Sequence, residues 1–259
     1  MTDDAVERRR AEARGAGRAG SYGIDGGATV LPVVGLAEAG LASAAAWAVR
    51  RRRYGLALLA GAAGAVATGF AGSYLYSTLR GKFVVWGEVL DELRPRGDER
   101  LLDIGCGRGA VLLLAARRLP AGRAVGVDVW RPRDQTGNSR AAAERNATLE
   151  GVSDRVEFVD ADARALPFPT GSFDIVVSSL AIHNIAGVEG RNQALREAVR
   201  VLRPGGRLRL IDQHFSQYPD PHTLEAAGCV EITVRRLGWR MWFGTPGDPL
   251  ILVSATKPD

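Results

Sequence analysis

Cysteine, histidine and lysine are scarce in this chain, and the scarcity excludes several kinds of protein and site. The 259 residues include two cysteines, which excludes a disulfide-stabilised scaffold. The three histidines and two cysteines are not spaced as metal ligands, so we expect no metal site. Two lysines leave 32 of the 34 basic residues as arginine. No short apolar run with a cleavage site follows the first basic residues, so no secretory signal is expected.

Apolar residues, by contrast, are plentiful. Hydrophobic residues make up 46% of the chain and charged residues 24%, which allows a sizeable core and excludes wholesale disorder. The net charge of +5 raises nucleic acid or an anionic membrane as a partner.

The composition changes along the chain and predicts three segments. Residues 1–27 are polar and rich in glycine, alanine and arginine, so we expect most of this tail to be disordered. Residues 28–80 contain two apolar runs and are expected to form a helical hairpin that anchors the protein to a membrane. Residues 81–259 have the composition of a soluble α/β domain.

Each apolar run is long enough to cross a bilayer as a helix. Ala28 to Val49 is 22 residues with one charge, Glu38, and Tyr54 to Tyr76 is 23 residues with none. Small residues recur every fourth position, which predicts close helix packing in lipid through Gly35, Ala39, Ser43 and through Gly61, Ala65, Gly69. The alternative is a soluble, alanine-rich hairpin that covers the following domain.

Basic residues around the hairpin bear on its orientation. The connecting loop holds four arginines, Arg50 to Arg53, whereas nine basic residues flank the two runs within about 20 residues. This bias favours a hairpin with both ends in the cytoplasm. A shallow hairpin lying in the interface is the alternative, because it keeps all of these charges on one side.

Beyond Gly81, strand-like and helix-like segments alternate. The strand candidates are Leu101–Ile104, Ala124–Asp128, Val156–Val159, Ile175–Ser178, Leu208–Ile211, Glu231–Arg236 and Ile251–Ala255. Such alternation predicts an α/β fold, a mostly parallel sheet with helices on both faces. Residues 237–250 are too rich in glycine and proline for a crossover helix, so the last two strands are expected to form an antiparallel pair at the sheet edge.

The segment Leu101-Leu-Asp103-Ile-Gly105-Cys-Gly107-Arg-Gly109 predicts a ligand site at the end of the first strand. Its glycines let a ligand lie against backbone amides at a helix N-terminus, and Asp128 ends the next strand, where it can accept hydrogen bonds from ribose hydroxyls. A pyrophosphate-binding turn has Gly-x-Gly-x-x-Gly spacing, but here the spacing is Gly-x-Gly-x-Gly with Asp103 beside it. A carboxylate there disfavours pyrophosphate and suits a ligand that carries an ammonium group.

With these residues the sequence resembles the class I S-adenosylmethionine-dependent methyltransferases over roughly residues 82–259. The resemblance rests on four ordered motifs: Asp103–Gly109; Gly126-Val-Asp128; Asp160–Pro169 leading into Ser172–Ser178; and Val201–Leu208. The third and fourth motifs are most similar to the ubiquinone/menaquinone methyltransferase branch. The resemblance implies a Rossmann-like, seven-stranded sheet and S-adenosyl-L-methionine as the cofactor.

The resemblance also implies site residues, carried over position by position. Asp103 is expected near the methionine amino group, Asp128 at the ribose, and Ser179 beside the sulfonium. The other cofactor-binding residues implied are Gly105, Cys106, Gly107, Gly109, Val129, Asp162 and Ala163. Cys106 is interpreted as a small turn residue rather than a nucleophile.

Two histidines are candidates for acceptor binding or base catalysis. His183 follows the fourth strand and His214 the fifth, at the sheet edge where ligands bind. A neutral imidazole there can accept a proton from the acceptor, although positioning alone can suffice for methyl transfer. A packing role is the alternative for both. Two further segments depart from the generic pattern: the polar loop 129–139 is a candidate to close over the methyl group, and the aromatic cluster Trp239, Trp242 and Phe243 is a candidate contact for lipid or an apolar substrate. Ordinary loop and core are the alternatives.

These observations favour a membrane-associated methyltransferase with its catalytic domain in the cytoplasm, acting on a small-molecule or lipid-like acceptor. Quinone-like, isoprenoid and lipid head-group acceptors all fit. A nucleic-acid methyltransferase is an alternative suggested by the positive charge, but Ser178-Ser-Leu-Ala181 stands where base-specific enzymes carry an Asn-Pro-Pro-Tyr type of motif. A non-catalytic cofactor-binding protein is a second alternative. A NAD-dependent oxidoreductase is disfavoured by Asp103 and by the glycine spacing.

Overall fold

The computed structural model describes residues 18–213, 220–243 and 250–259, with the backbone alone for residues 28 and 29. Its α-helices are α1 (Gly27–Arg50), α2 (Tyr54–Tyr76), α3 (Lys82–Leu93), α4 (Ala110–Ala116), α5 (Arg140–Leu149), α6 (Val188–Val201) and α7 (Pro221–Ala226). A π-helical segment, Ser77–Gly81, joins α2 to α3, and short 3-10 turns span Ser153–Arg155, Ile182–Asn184 and Gly238–Met241.

Seven strands form one sheet in the order β3-β2-β1-β4-β5-β7-β6. The strands are β1 (Arg100–Ile104), β2 (Arg123–Asp128), β3 (Val156–Asp160), β4 (Phe173–Ser179), β5 (Leu202–Gln213), β6 (Val230–Arg236) and β7 (Leu250–Thr256). Strands β1 to β5 pair in parallel, and β7 is antiparallel to both β5 and β6. The predicted α/β fold with a mostly parallel sheet is therefore confirmed.

Buried apolar strands and two layers of helices explain this architecture. Leu101, Leu102 and Ile104 of β1 are each at most 1% exposed, as expected for a central strand covered on both faces. Helices α3, α4 and α5 contribute to the core on one face, and α6 and α7 to the core on the other. The segment Pro204-Gly205-Gly206 belongs to β5, whose pairing with β4 is irregular there.

The apolar helices α1 and α2 form the predicted hairpin and extend away from the sheet. By length and composition both helices can cross a membrane. The apolar 18-residue stretch of each helix contains no buried residue. The small residues do not act as expected, since a Cβ added at Gly35, Gly61 or Gly69 meets nothing within 4 Å. Between the two helices, the Thr68 hydroxyl donates to the Glu38 carboxylate at 3.0 Å. Glu38, the one charged residue of the first apolar run, therefore has a hydrogen-bond partner.

The base of the hairpin is attached to the domain by aromatic rings. The ring of Phe70 meets Trp242 edge-on at 5.2 Å, and Tyr76 stacks on Trp239 at 5.1 Å. The aromatic cluster considered as a lipid or substrate contact thus packs on the end of α2. Gly81 touches the Arg240 carbonyl so closely that an added Cβ would lie 1.7 Å from its oxygen.

The last part of the N-terminal tail differs from the disorder predicted for most of residues 1–27. Residues 1–17 lie outside the described residues. Residues 20–26 run along the domain surface beside the loop that follows β2. The Ser21 amide donates to Asn146, and Ile24 exchanges hydrogen bonds with Thr136. These contacts satisfy backbone groups of the segment, which offsets the entropy lost on ordering it.

Candidate active site

One cavity of about 680 Å³ lies at the carboxyl ends of the parallel strands, where open α/β sheets bind ligands. Its lining includes nine of the predicted cofactor residues together with His183: Asp103, Gly105, Cys106, Gly107, Asp128, Val129, Asp162, Ala163 and Ser179. Gly109 is absent from the lining described and instead forms the N-cap of α4. His214 lies outside the described residues.

The glycine-rich turn brings the end of β1 against the segment that follows β4. Gly105 has a φ of +73°, and an added Cβ would lie 2.2 Å from the Cβ of Ala181. Only glycine satisfies both the left-handed backbone and this close approach. The turn therefore presents backbone rather than side chains to the cavity.

Asp103 is a buried carboxylate without a hydrogen-bond partner among the described residues. Its side chain is 1% exposed and neither oxygen makes a hydrogen bond, although it lines the cavity. Burial, together with the nearby Asp128 carboxylate, raises the pKa of Asp103 to about 8. A cationic ligand group in the cavity would supply both the missing partner and the compensating charge.

Asp128 is held by two backbone amides. The Gly107 N–H donates to one carboxylate oxygen at 2.8 Å, and the Trp130 N–H donates to the other at 2.6 Å. Burial raises the pKa of Asp128, and these two amides oppose that rise. The carboxylate thus fixes the glycine turn while it lines the cavity, and its remaining lone pairs can accept ligand hydroxyls.

The other predicted cofactor residues have protein partners as well. Arg164 binds the Asp162 carboxylate at 2.6 Å and thereby lowers its pKa. The indole N–H of Trp86 donates to the Ser179 hydroxyl at 2.8 Å. Burial raises the pKa of the Cys106 thiol well above its usual value, as suits a turn residue rather than a nucleophile.

His183 forms a pair with Asp212, a residue to which the sequence alone assigned no role. His183 Nδ1 lies 2.6 Å from one Asp212 oxygen, and the His183 backbone N–H donates to the other at 3.2 Å. The Gln213 N–H is a further donor at 2.9 Å, and Asp212 is 1% exposed. The arrangement favours the imidazole tautomer that carries its proton on Nδ1.

The N-terminal segment supplies another wall of the cavity, which sequence reasoning missed. Asp25 binds the Lys82 ammonium at 2.9 Å and also accepts hydrogen bonds from Thr78 and Gln135. The other end of the Gln135 amide accepts the Arg108 N–H of the glycine turn at 3.0 Å. Gln135 thus connects the base of the hairpin to the cofactor turn.

The site fits S-adenosylmethionine, the cofactor that the motif resemblance implies. The observation that matters is the orphaned Asp103 carboxylate, because the cofactor has an ammonium group and a sulfonium and both are cationic. The open glycine turn and the remaining acceptor capacity of Asp128 fit its amino-acid and ribose parts. Within the described ranges no cluster of His, Cys, Asp and Glu could hold a metal ion.

Comparison with known proteins agrees with this geometry. The sequence model of the family described as "Methyltransferase domain" matches residues 102–210. The ubiquinone/menaquinone biosynthesis C-methyltransferase of Dinoroseobacter shibae is 38% identical over 138 residues, which are 53% of this chain and 51% of that protein. The demethylmenaquinone methyltransferase of Thermus thermophilus is 38% identical over 124 residues, 48% of this chain and 51% of that protein. The chain thus spans about half the length of the curated relatives it matches.

A solved structure supports the fold. A SAM-dependent methyltransferase from Aquifex aeolicus superposes with a TM-score of 0.52 at 19% identity, over 66% of this chain and 89% of that one. Residues 102–210 of the chain thus match a methyltransferase-domain family, and the sheet has the fold of that SAM-dependent methyltransferase.

Proposed function

We propose that this protein transfers a methyl group from S-adenosylmethionine to a lipophilic, quinol-like acceptor at a membrane surface. The observation that carries the proposal is a single cavity whose wall includes the cofactor motifs, His183 and both ends of the apolar hairpin. The two curated relatives, matched over about half their length, carry names of ubiquinone and menaquinone biosynthesis. A ring carbon is accordingly the acceptor atom that we favour.

The cofactor, when bound, supplies an electrophilic methyl group, and the chain's own residues hold and orient it. We assign the Asp103 carboxylate to the amino group and Asp128 to the ribose, as the family resemblance implies. Gly105, Gly107 and Ala163 leave room beside them. The glycine turn and the aspartates are positioned before any ligand arrives, which reduces the entropy lost on binding.

His183 is the residue that we assign to proton transfer. An aromatic ring that gains a methyl group at carbon must lose a proton, and a phenolic acceptor reacts faster when its hydroxyl is ionised. The imidazole lines the cavity, and Asp212 orients it through Nδ1. Asp212 contacts no reacting atom in this scheme and is a positioning residue.

Membrane association is part of the proposal and rests on the exposed apolar surface of the hairpin. Leu36 and Leu58 are each 75% exposed and Val33 is 66% exposed, which is costly in water and favourable in lipid. The excess of basic residues outside the connecting loop favours the cytoplasmic side for the domain.

The proposal is tested with the full chain in phospholipid vesicles, isotope-labelled S-adenosylmethionine and a hydroquinone that carries a polyprenyl chain. We expect a labelled methyl group on the ring, and at least about a hundredfold lower rate for His183→Gln. Cofactor binding without transfer to the hydroquinone would contradict the proposed acceptor. Transfer to an added oligonucleotide would support the nucleic-acid alternative instead.

A further inference from the structure

The cavity extends beyond the cofactor motifs to the place where the hairpin leaves the domain. Its lining there includes Val30 in the first turn of α1, Tyr74 near the end of α2, and Phe243 after the last 3-10 turn. Val30 and Tyr74 flank Gly26, since a Cβ built on Gly26 would lie 3.8 Å from Val30 and 4.0 Å from the Tyr74 hydroxyl. Apolar groups from three distant segments therefore meet at one end of the cavity.

This end is fixed in place by polar contacts behind the rings. The Tyr74 hydroxyl donates to the Asp25 carbonyl, and the Tyr74 ring meets Phe243 edge-on at 5.8 Å. The Ser77 hydroxyl donates to the carbonyl of Trp242 at 2.7 Å, directly before Phe243 in the chain. The apolar wall is thus a preformed surface rather than a flexible one.

The charged groups beside this end, Asp25 and Lys82, neutralise each other in an ion pair, and the arginines that line the cavity lie elsewhere. Arg131, Arg133 and Arg164 line the side formed by the loops after β2 and β3. A long hydrocarbon chain is excluded from that charged side by desolvation, but it can pack against valine, tyrosine and phenylalanine. The hairpin beyond this point carries the exposed leucines and valines, so the apolar wall is continuous with the apolar hairpin.

We propose that Val30, Tyr74 and Phe243 form a subsite for the apolar chain of a membrane-dissolved acceptor, which enters the cavity along the base of the hairpin. The proposal rests on the proposed function. A chain that enters here passes from lipid to the methyl donor without exposure to water, and each buried methylene adds affinity. The ring of the acceptor then lies toward His183 and the cofactor.

A photo-crosslinking experiment tests the location of the subsite without requiring turnover. The probe is a hydroquinone whose first prenyl unit carries a diazirine, added to the full chain in phosphatidylethanolamine/phosphatidylglycerol vesicles. We expect labelling at Val30, Tyr74 or Phe243 that an excess of unmodified polyprenyl hydroquinone abolishes. Labelling that resists competition would show contact with bulk lipid only and would overturn the proposal, as would competed labelling confined to residues 131–133.

A matched pair of substitutions on α1 tests the effect of the subsite on specificity for the length of the acceptor chain. Val30→Trp fills the subsite, whereas Val33→Trp adds the same ring one turn further along the exposed face. For Val30→Trp, we expect the ratio of kcat/KM for long-chain over short-chain hydroquinone to fall at least about tenfold. An unchanged ratio in Val30→Trp, or an equal fall in Val33→Trp, would contradict the subsite. Competed crosslinking without methyl transfer would refute the reaction and leave the subsite standing.

Discussion

The imidazole Nδ1 of His183, in the 3-10 turn that follows β4, lies 2.6 Å from a carboxylate oxygen of Asp212 near the end of the adjacent strand β5. We expect Asp212→Asn to lower kcat by between about tenfold and a thousandfold, because the imidazole loses the anion that orients it. The KM for the acceptor should change far less than kcat, because Asp212 contacts no reacting atom.

Two controls accompany Asp212→Asn. The first is the His183→Gln variant, and the second is the affinity of both variants for the cofactor. Both variants should bind S-adenosylmethionine as tightly as the wild type in calorimetry. An Asp212→Asn protein with a wild-type kcat and a lowered melting temperature would assign Asp212 a purely structural role.

Asp103 predicts a pH dependence of cofactor binding. In the ligand-free protein its pKa is raised to about 8, so the carboxyl group is mostly protonated at neutral pH. A cationic ligand binds the ionised form, and we expect the cofactor Kd to fall by up to about tenfold per unit from pH 6 to pH 7. Asp103→Asn should bind the cofactor more weakly and with little pH dependence. Calorimetry at several pH values measures both, and a wild-type Kd that is independent of pH would contradict the assignment.

The same group predicts how the stability of the ligand-free protein depends on pH. An acid whose pKa is raised on folding retains its proton in the folded state, so the folded state loses stability as pH rises from about 4 to about 8. Asp103→Asn removes this loss. We therefore expect the variant to raise the melting temperature at pH 8 and to change it far less at pH 4.5. An equal gain at the two pH values would mean that the carboxyl group is ionised throughout.

Alanine substitutions at two glycines with similar φ angles distinguish the cost of a steric clash from the cost of a left-handed backbone. Gly105 has a φ of +73° and an added Cβ would lie 2.2 Å from Ala181, whereas Gly151 has a φ of +68° with open space around it. Gly151→Ala should lower the free energy of unfolding by about 1 kcal/mol through the backbone alone. Gly105→Ala should lower it by about 2 kcal/mol more and weaken cofactor binding. Denaturant unfolding measures the difference, and equal losses in the two variants would argue against a tight turn.

The ion pair between Lys82 and Asp25 predicts that substitutions of the two residues have non-additive effects on the free energy of unfolding. The Lys82 side chain is 4% exposed and the Asp25 side chain 19% exposed, so either partner left alone is a poorly solvated charge. We expect Asp25→Ala and Lys82→Met each to lower the free energy of unfolding by about 3 kcal/mol, and the double variant to lose less than their sum. A double-mutant cycle by chemical denaturation checks this, and strictly additive losses would show that the pair is not coupled.

The sheet and most of the residues that line the cavity were predictable because their signals are local. The segment Leu101–Ile104, apolar apart from Asp103, and the glycines after it specify a buried strand and a turn within nine residues. Asp212 was not predictable as a functional residue, because its role depends on the pairing of β4 with β5 that brings it to His183. Asp25 lies in a polar, glycine-rich tail whose composition resembles disorder, and only its tertiary contact with Lys82 shows otherwise.

Exposed leucines predict that the hairpin binds membranes. Leu36, Leu58 and Leu59 are 69% to 75% exposed, so replacing all three with glutamate disturbs little packing within the protein. Each charge opposes insertion by about 3 kcal/mol, and we expect the triple variant to leave the vesicle fraction in a flotation assay. The matched control replaces three exposed apolar residues of the domain, Leu149, Val188 and Val234, and should float as the wild type does. If the hairpin variant still floats with the vesicles, the anchor is not the hairpin; if the control variant also leaves them, the domain surface is part of the membrane contact.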